Sequence, residues 1–175
     1  MNLQTLVLRW TLPLVMLAGT QSAAWAGQKD VPFKARVATQ ETLGYDPVRC
    51  PGTFQIGNTI GQGTASPMGA VRLVASDCPA TADGVSFHFS NGELTLTGAN
   101  GDTLRARYHG TLLPIPGTNP VLHEITGMFN VSGGTGRFSG ARGGGSLLGT
   151  QDLATFKGQY QVDGRLSYGD DKDRD

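Results

Sequence analysis

The sequence predicts an all-β fold, an antiparallel barrel or sandwich of about eight strands. Three observations predict it. Apolar and polar residues alternate with a period of two along several segments, which is typical of strands with one buried face. Turn signals rich in glycine and asparagine separate these segments. After residue 26 no segment favours a helix, so nothing indicates a parallel α/β sheet.

Residues 1–26 are expected to be a secretory signal peptide. Arg9 precedes a short apolar run, and Ala24-Trp25-Ala26 forms a small-x-small cleavage site. The apolar run is shorter than the roughly 20 residues that span a membrane. An uncleaved N-terminal anchor is the alternative. We therefore expect a secreted or periplasmic protein with no membrane span after cleavage.

The remaining chain has the length of one domain, and we expect a barrel over residues 27–168 and a charged, disordered tail over 169–175. The full chain has 14 Lys+Arg and 14 Asp+Glu. This balance does not favour nucleic acid or an anionic membrane as a partner.

The two cysteines, Cys50 and Cys78, are predicted to form a disulfide, because paired cysteines in an exported protein usually do. A proline follows each cysteine, which favours a position at a loop end. Metal ligation is the alternative reading. It is weak, since no second Cys or His lies two to four residues from either one.

Candidate strands in the first half lie near residues 35 and 73, in PFKARVAT and AVRLVAS. Phe87 and Phe89 share one face of a third. Ser90-Asn91-Gly92 is predicted to be a turn, after which Leu94 and Leu96 resume the apolar face of a further strand.

Asn100-Gly101 is a two-residue hairpin signal of type I′, in which both residues need a positive φ. In the strand that follows, one face is predicted to be buried and the other to face water. The inner residues are Leu104, Ala106 and Tyr108, and the outer ones are Arg105, Arg107 and His109. The outer stripe is expected to be a solvated wall; a docking surface for an acidic partner is the alternative.

Two more strands with an apolar face are predicted later in the chain. Residues 122–131 place Ile125, Phe129 and Val131 on one side. Residues 154–168 form a long strand with one apolar face. That face consists of Phe156, Tyr160, Val162, Leu166 and Tyr168.

The glycine-rich segment 131–149 is interpreted as strands and turns rather than as a phosphate-binding loop. No G-K-[ST] ending is present, and no amphipathic helix follows. Residues 136–141 are predicted to be a strand with Phe138 inward, and Gly143 to Gly145 a bend or bulge. Such glycines permit the curvature that closes a small barrel.

The stretch Gly133-Gly134-Thr135-Gly136-Arg137-Phe138-Ser139-Gly140-Ala141 resembles the GGTG-x-F-x-x-A stretch of plant dirigent proteins and of bacterial allene-oxide-cyclase-like barrels. Gly63, Ala65 and Gly69 match a G-x-A-x-x-x-G segment of the secreted bacterial branch. The resemblance covers about residues 54–168. It implies an eight-stranded antiparallel calycin-like β-barrel with an apolar lumen. Plant members cyclise an unsaturated epoxide or steer phenoxy-radical coupling, but no catalytic motif of either group matches here.

No catalytic or metal-binding constellation is predicted. His88, His109 and His123 lack metal-ligand spacing and are interpreted as surface residues. Gly144-Gly145-Ser146-Leu147-Leu148 falls short of a G-x-S-x-G elbow. The sequence has three glutamates, Glu41, Glu93 and Glu124, and whether Glu93 and Glu124 pair as glycosidase carboxylates is open.

The predicted inner face suggests a small-molecule role. An eight-stranded barrel holds either a filled core or one small ligand. We expect a small hydrophobic ligand, no cofactor and no metal. An isomerase or cyclase-type enzyme, or a non-catalytic assembly protein that could form a homo-oligomer, are the alternatives. The candidate ligand-binding residues are Phe87, Phe89, Leu94, Leu96, Tyr108, Phe129, Phe138, Phe156 and Tyr160.

Overall fold

The structure, a computed structural model, describes residues 28–119 and 121–169 and confirms the all-β prediction. The expected leader, residues 1–26, and residues 170–175 of the expected tail lie outside the described residues. Eight antiparallel strands form one closed barrel. They are β1 (Gln28–Tyr45), β2 (Gln55–Ser66), β3 (Gly69–Thr81), β4 (Phe87–Gly98), β5 (Thr103–Pro114), β6 (Leu122–Gly134), β7 (Arg142–Asp152) and β8 (Lys157–Gly169).

Each strand pairs with its neighbours in sequence, and β1 pairs with β8 to close the barrel. Lys34 of β1 lies opposite Ser66 of β2 on one side and Asp163 of β8 on the other. Because neighbouring strands are antiparallel, the connections after β1, β3, β5 and β7 lie at one end, called here the open end. The other connections lie at the closed end.

The closed end is filled by apolar side chains. Phe138, on a one-turn 3-10 helix (Gly136–Phe138), is fully buried. Its ring centroid lies 5.2 Å from that of Tyr168, and the Arg137 guanidinium lies 4.9 Å from the ring centroid. Leu104 and Leu166 are also buried. Side chains from three parts of the chain therefore close this end.

The predicted strand over residues 136–141 is wrong. Gly136 and Gly140 have φ values of +58° and +71°, which an extended strand does not accommodate. The segment forms the 3-10 turn instead, and β7 begins after it. The inward position of Phe138 is confirmed. The predicted bulge at Gly143 to Gly145 is wrong, because β7 pairs through these residues with both neighbours in unbroken register. The glycines allow close approach instead, since a β-carbon on Gly145 would lie 2.5 Å from the Gly164 α-carbon.

The predicted turn at Ser90-Asn91-Gly92 is also wrong, because β4 runs through it as one strand. The register of β4 with β5 shifts between Phe89 and Gly92. Asn91 has a φ of +51° at this bulge. Its carbonyl oxygen accepts a hydrogen bond from Arg49 Nη2 at 2.9 Å. A bulge and a turn share sequence signals, so the local pattern did not separate them.

The hairpin at Asn100-Gly101 is confirmed, but its type differs from the prediction. Only Gly101 of the pair has a positive φ, at +86°. The Gly98 N–H donates to the Asp102 carbonyl at 2.9 Å and closes the turn. Type I′ geometry would need both residues in the left-handed region.

The disulfide between Cys50 and Cys78 is confirmed, with the two α-carbons 5.4 Å apart. Cys50 lies in the loop after β1, as predicted. Cys78 lies inside β3 rather than at a loop end, where the register with β4 shifts after Ser76. The bond therefore ties the loop at the open end to the barrel wall.

The long strand predicted over residues 154–168 begins later than expected. Phe156 has a φ of +54° and lies in the turn before β8. Leu166 is buried as predicted, whereas Val162 and Tyr168 are partly buried against the core. No strand was predicted for β2, whose inner positions include Thr59, Gly61 and Gly63 instead of large apolar residues.

Candidate functional site

A cavity of about 270 Å³ opens at the open end of the barrel. The middle of the barrel holds a void of only about 50 Å³, so the lumen is packed there. Tyr108, Leu147 and Tyr160 line both spaces and form the floor of the cavity. The aromatic lining consists of Phe87, Phe89, Tyr108, Phe156 and Tyr160, and the polar lining of Glu41, Gln55, Asp77 and Gln151.

The predicted inner residues lie along the whole barrel rather than in one site. Phe87, Phe89, Tyr108, Phe156 and Tyr160 line the cavity. The other four predicted residues lie elsewhere, in packed core. Leu94, Leu96 and Phe129 surround the central void, and Phe138 fills the closed end. Ligand contact by the first five stays a prediction.

Asp77 lies on the inner face of β3 near the open end and is buried. Tyr108 Oη donates a hydrogen bond to Asp77 Oδ2 at 2.7 Å. Burial raises the pKa of Asp77 to about 7, the Tyr108 hydrogen bond opposes that rise, and the charge of Glu41 adds to it. The burial of Tyr108 itself, with the charge of Asp77, raises the pKa of Tyr108 well above its ordinary value.

Glu41 enters the cavity from β1, near its C-terminal end. Gln151 Nε2 donates a hydrogen bond to Glu41 Oε2, and Tyr160 Oη donates to Gln151 Oε1 at 3.2 Å. Burial raises the pKa of Glu41, and the Gln151 hydrogen bond opposes the rise. Burial also raises the pKa of Tyr160. The two carboxyl groups thus enter an apolar space, each with a hydrogen-bond partner.

Gly57 of β2 brings the two carboxyl groups together. A β-carbon on Gly57 would overlap Glu41 Oε1 and lie 3.1 Å from Asp77 Oδ1. The absence of a side chain leaves the space that both carboxyl groups use. Glu41 and Asp77 therefore meet across β2, although they lie on strands that do not pair with each other.

Arg49 and the disulfide support this wall from outside. Arg49 donates to Glu93 Oε2 and to the Ser76 carbonyl, both at 3.2 Å, and to the Asn91 carbonyl. Its positive charge lowers the pKa of Asp77, as the smallest of the four effects on that group. Because Cys50 and Cys78 are adjacent in sequence to Arg49 and Asp77, the loop, bulge and cavity wall form one connected unit.

The strand ends and loops at the open end, called here the rim, carry exposed apolar side chains. Leu43 lines the cavity and is half-exposed. Tyr45 and Val48 are 76% and 91% exposed. The rings of Tyr45 and Phe54 lie 6.2 Å apart, and Val85 is exposed on the loop after β3. Exposed apolar side chains therefore lie at the same end of the barrel as the cavity.

The surface interpretation is confirmed for His88 and His109 and wrong for His123, which is 2% exposed. Its Nε2 donates to the Val85 carbonyl at 2.8 Å, and the Phe87 ring packs edge-on against it. The loop after β3 covers it, and sequence alternation does not reveal a loop that folds over a strand. Arg105 and Arg107 are exposed as predicted.

Sequence reasoning missed Glu41, Asp77 and Gln151 as cavity residues. Glu93 and Glu124, considered there as a carboxylate pair, are both exposed. The signal that could have found Asp77 is the alternation of β3, where Val71, Leu73 and Ala75 precede it on the inner face. Within residues 28–119 and 121–169 no cluster of three or more His, Cys, Asp or Glu could hold a metal ion.

Among the described residues no helix is long and apolar enough to cross a membrane. No protein-family profile and no curated protein sequence matches the chain.

Two solved structures share the fold. The pterocarpan synthase dirigent protein GePTS1 is similar with a TM-score of 0.52 and 13% sequence identity, over 82% of this chain and 93% of that one. The pterocarpan synthase dirigent protein PsPTS1 is similar with a TM-score of 0.50 and 13% identity, over 82% of this chain and 97% of that one. The chain thus has a dirigent-like barrel. Its placement in a bacterial branch stays a prediction.

Proposed function

We propose that the protein binds a small, mainly apolar molecule in the cavity at the open end of the barrel. The observation that carries the proposal is one cavity of about 270 Å³ in an otherwise packed lumen. Its walls are aromatic and its few polar groups converge on one side, which is the usual composition of a small-molecule site. The apolar rim suits an apolar ligand that enters from the open end.

The fold supports the same proposal. Two solved barrels that share this fold are named as pterocarpan synthase dirigent proteins, so the architecture is compatible with a small organic molecule as ligand. A purely structural role would not need an open cavity with buried carboxyl groups, which cost stability. We also propose a secreted or periplasmic location, which the Cys50–Cys78 disulfide supports.

Retention of a ligand tests the proposal. Protein without its leader is incubated with a lipid extract and examined by native mass spectrometry. We expect a bound small molecule in the wild type and none in Leu153→Trp, which fills the cavity mouth. Leu148→Trp, on the half-exposed outer wall, is the matched control and should retain the ligand. Circular dichroism checks the fold of both variants. No retained molecule in the wild type would refute binding.

A second candidate function is proton-transfer catalysis of the isomerase or cyclase type. Asp77 favours it, since a buried carboxyl group with a pKa of about 7 can both donate and accept a proton near neutral pH. Conversion of the retained molecule by the wild type, and its unchanged release by Asp77→Asn, would support catalysis. Unchanged release by both proteins would leave binding alone.

A further inference from the structure

Building on the proposed function, we infer that the cavity takes a cationic ligand, an apolar amine whose ammonium group lies beside Glu41 and Asp77. Both carboxyl groups line the cavity. Among the described residues that line it, none is Lys, Arg or His. The site therefore has acidic groups without a basic counterpart inside the cavity.

The cation whose charge acts on Asp77, Arg49, is already engaged. Arg49 pairs with Glu93 and donates to two backbone carbonyls on the outer side of the wall. Its attraction is the smallest effect on Asp77, below the repulsion from Glu41. An ammonium group inside the cavity would supply the charge that the wall lacks.

The hydrogen bonds of the two carboxyl groups leave capacity for a donor. Tyr108 and Gln151 donate to Asp77 Oδ2 and Glu41 Oε2. Within the described part of the chain no hydrogen bond uses Asp77 Oδ1 or Glu41 Oε1, the two oxygens that meet near Gly57. An ammonium group carries three N–H donors and no acceptor, which suits a pair of carboxylates.

The aromatic lining favours the same ligand charge. Five aromatic rings line the cavity, and ring faces attract a cation, more strongly when water is excluded. Tyr108 donates directly to Asp77, and Tyr160 is linked to Glu41 through Gln151. The aromatic rings can contact the apolar part of an amine, and Glu41 and Asp77 can contact its charge.

The binding of an amine should displace protons. The groups that face Asp77 are Glu41 from β1, Tyr108 from β5, Tyr160 from β8 and Arg49 from the loop after β1. Burial, with the charge of Glu41, keeps Asp77 partly protonated near neutral pH, and burial also raises the pKa of Glu41. An adjacent ammonium lowers both pKa values and ionises the pair. A neutral ligand would not lower these pKa values and would not release protons.

Three probes that share a phenylethyl group and differ in the terminal group test the inference: 2-phenylethylamine, 2-phenylethanol and 3-phenylpropionate. Isothermal titration calorimetry at pH 7, where Asp77 is partly protonated, should show the amine binding at least about tenfold more tightly than the alcohol. The carboxylate should bind least. Repetition in buffers of different ionisation enthalpy should show proton release with the amine alone.

The matched variants are Glu41→Gln with Asp77→Asn, and Glu124→Gln on the exposed outer face. The first should reduce the ratio of amine to alcohol affinity to about one; the second should leave the ratio unchanged. Equal binding of amine and alcohol by the wild type would overturn the inference while the proposed binding function stands. Failure of all three probes would also overturn it. Ligand retention in native mass spectrometry then decides the proposed function separately.

Discussion

The two ends of this barrel are built from the same eight strands and differ in almost every other respect. The closed end is filled by Phe138, Leu104 and Leu166, all buried. The open end has a cavity with two carboxyl groups, and a disulfide holds its first loop. An eight-stranded barrel has room for packed side chains or one small ligand. Here one lumen contains both, at different heights along its axis.

The difference shows where stability and binding are expected to lie. Apolar burial at the closed end favours folding, since buried side chains there leave no void. Carboxyl groups at the open end oppose folding once they ionise, because burial penalises charge. Three experiments can break or sharpen this division, described from the largest expected effect to the smallest.

Phe138→Ala should lower the free energy of unfolding by about 3–5 kcal/mol, because it empties a fully buried site at the closed end. Phe156→Ala removes the same ring from the cavity lining, where the side chain is partly exposed. We expect a loss of about 1 kcal/mol or less there. Guanidinium unfolding followed by circular dichroism measures both. Equal losses would contradict the division between the ends.

The stability of the protein should fall as the pH rises from about 4 to about 7. Folded Asp77 keeps its proton up to about pH 7, whereas the unfolded group loses it near 3.8. The folded state thus binds more protons in this window, and the stabilisation present below it is lost as the pH rises. The full effect is up to about 4 kcal/mol. Asp77→Asn should flatten most of the slope, and the raised pKa of Glu41 should leave a smaller slope of the same sign.

Asp83, exposed in the loop after β3, is the control for this experiment. Hydrogen bonds from the Ser86 and Val85 backbone lower its pKa to about 2. Its stabilisation is present above the unfolded value of 3.8 and is lost as the pH falls toward 2. Asp83→Asn should therefore change only the acidic limb of the curve. A neutral limb that persists in Asp77→Asn would show that the slope has another origin.

Removal of the disulfide by Cys50→Ala with Cys78→Ala should cost about 3 kcal/mol, since the bond closes a loop of 28 residues. The open end should loosen first. We expect trypsin to cleave after Arg49 in the variant under native conditions, whereas Arg137 at the closed end stays uncut. Cleavage after Arg137 at the same rate would mean that the bond stabilises both ends alike.

The fold was largely predictable because a strand repeats its side-chain direction every two residues. On β5, Leu104, Ala106 and Tyr108 are buried while Arg105 and Arg107 are exposed, as predicted. β2 was not predicted because it lacks this signal. Its inner positions are occupied by small or polar residues, so large apolar side chains do not alternate with polar ones along it.

The polar lining of the cavity was less predictable from the sequence than the strands were. Asp77 continues the inner row of β3, but a carboxylate at a strand end is usually exposed. Its burial depends on Tyr108 from another strand and on the space above Gly57. Only the closure of the barrel brings these residues together, so the local sequence cannot indicate their contact.

The seam that closes the barrel places its first and last strand residues side by side. Gln28 of β1 lies opposite Gly169 of β8, at the closed end of the barrel and away from the cavity. A tag, a surface or a second protein attached through either residue would hold the barrel with its entrance facing away. The two positions could also be joined and the chain reopened at the Asn100-Gly101 hairpin, to give a circular permutant whose ligand entrance is untouched.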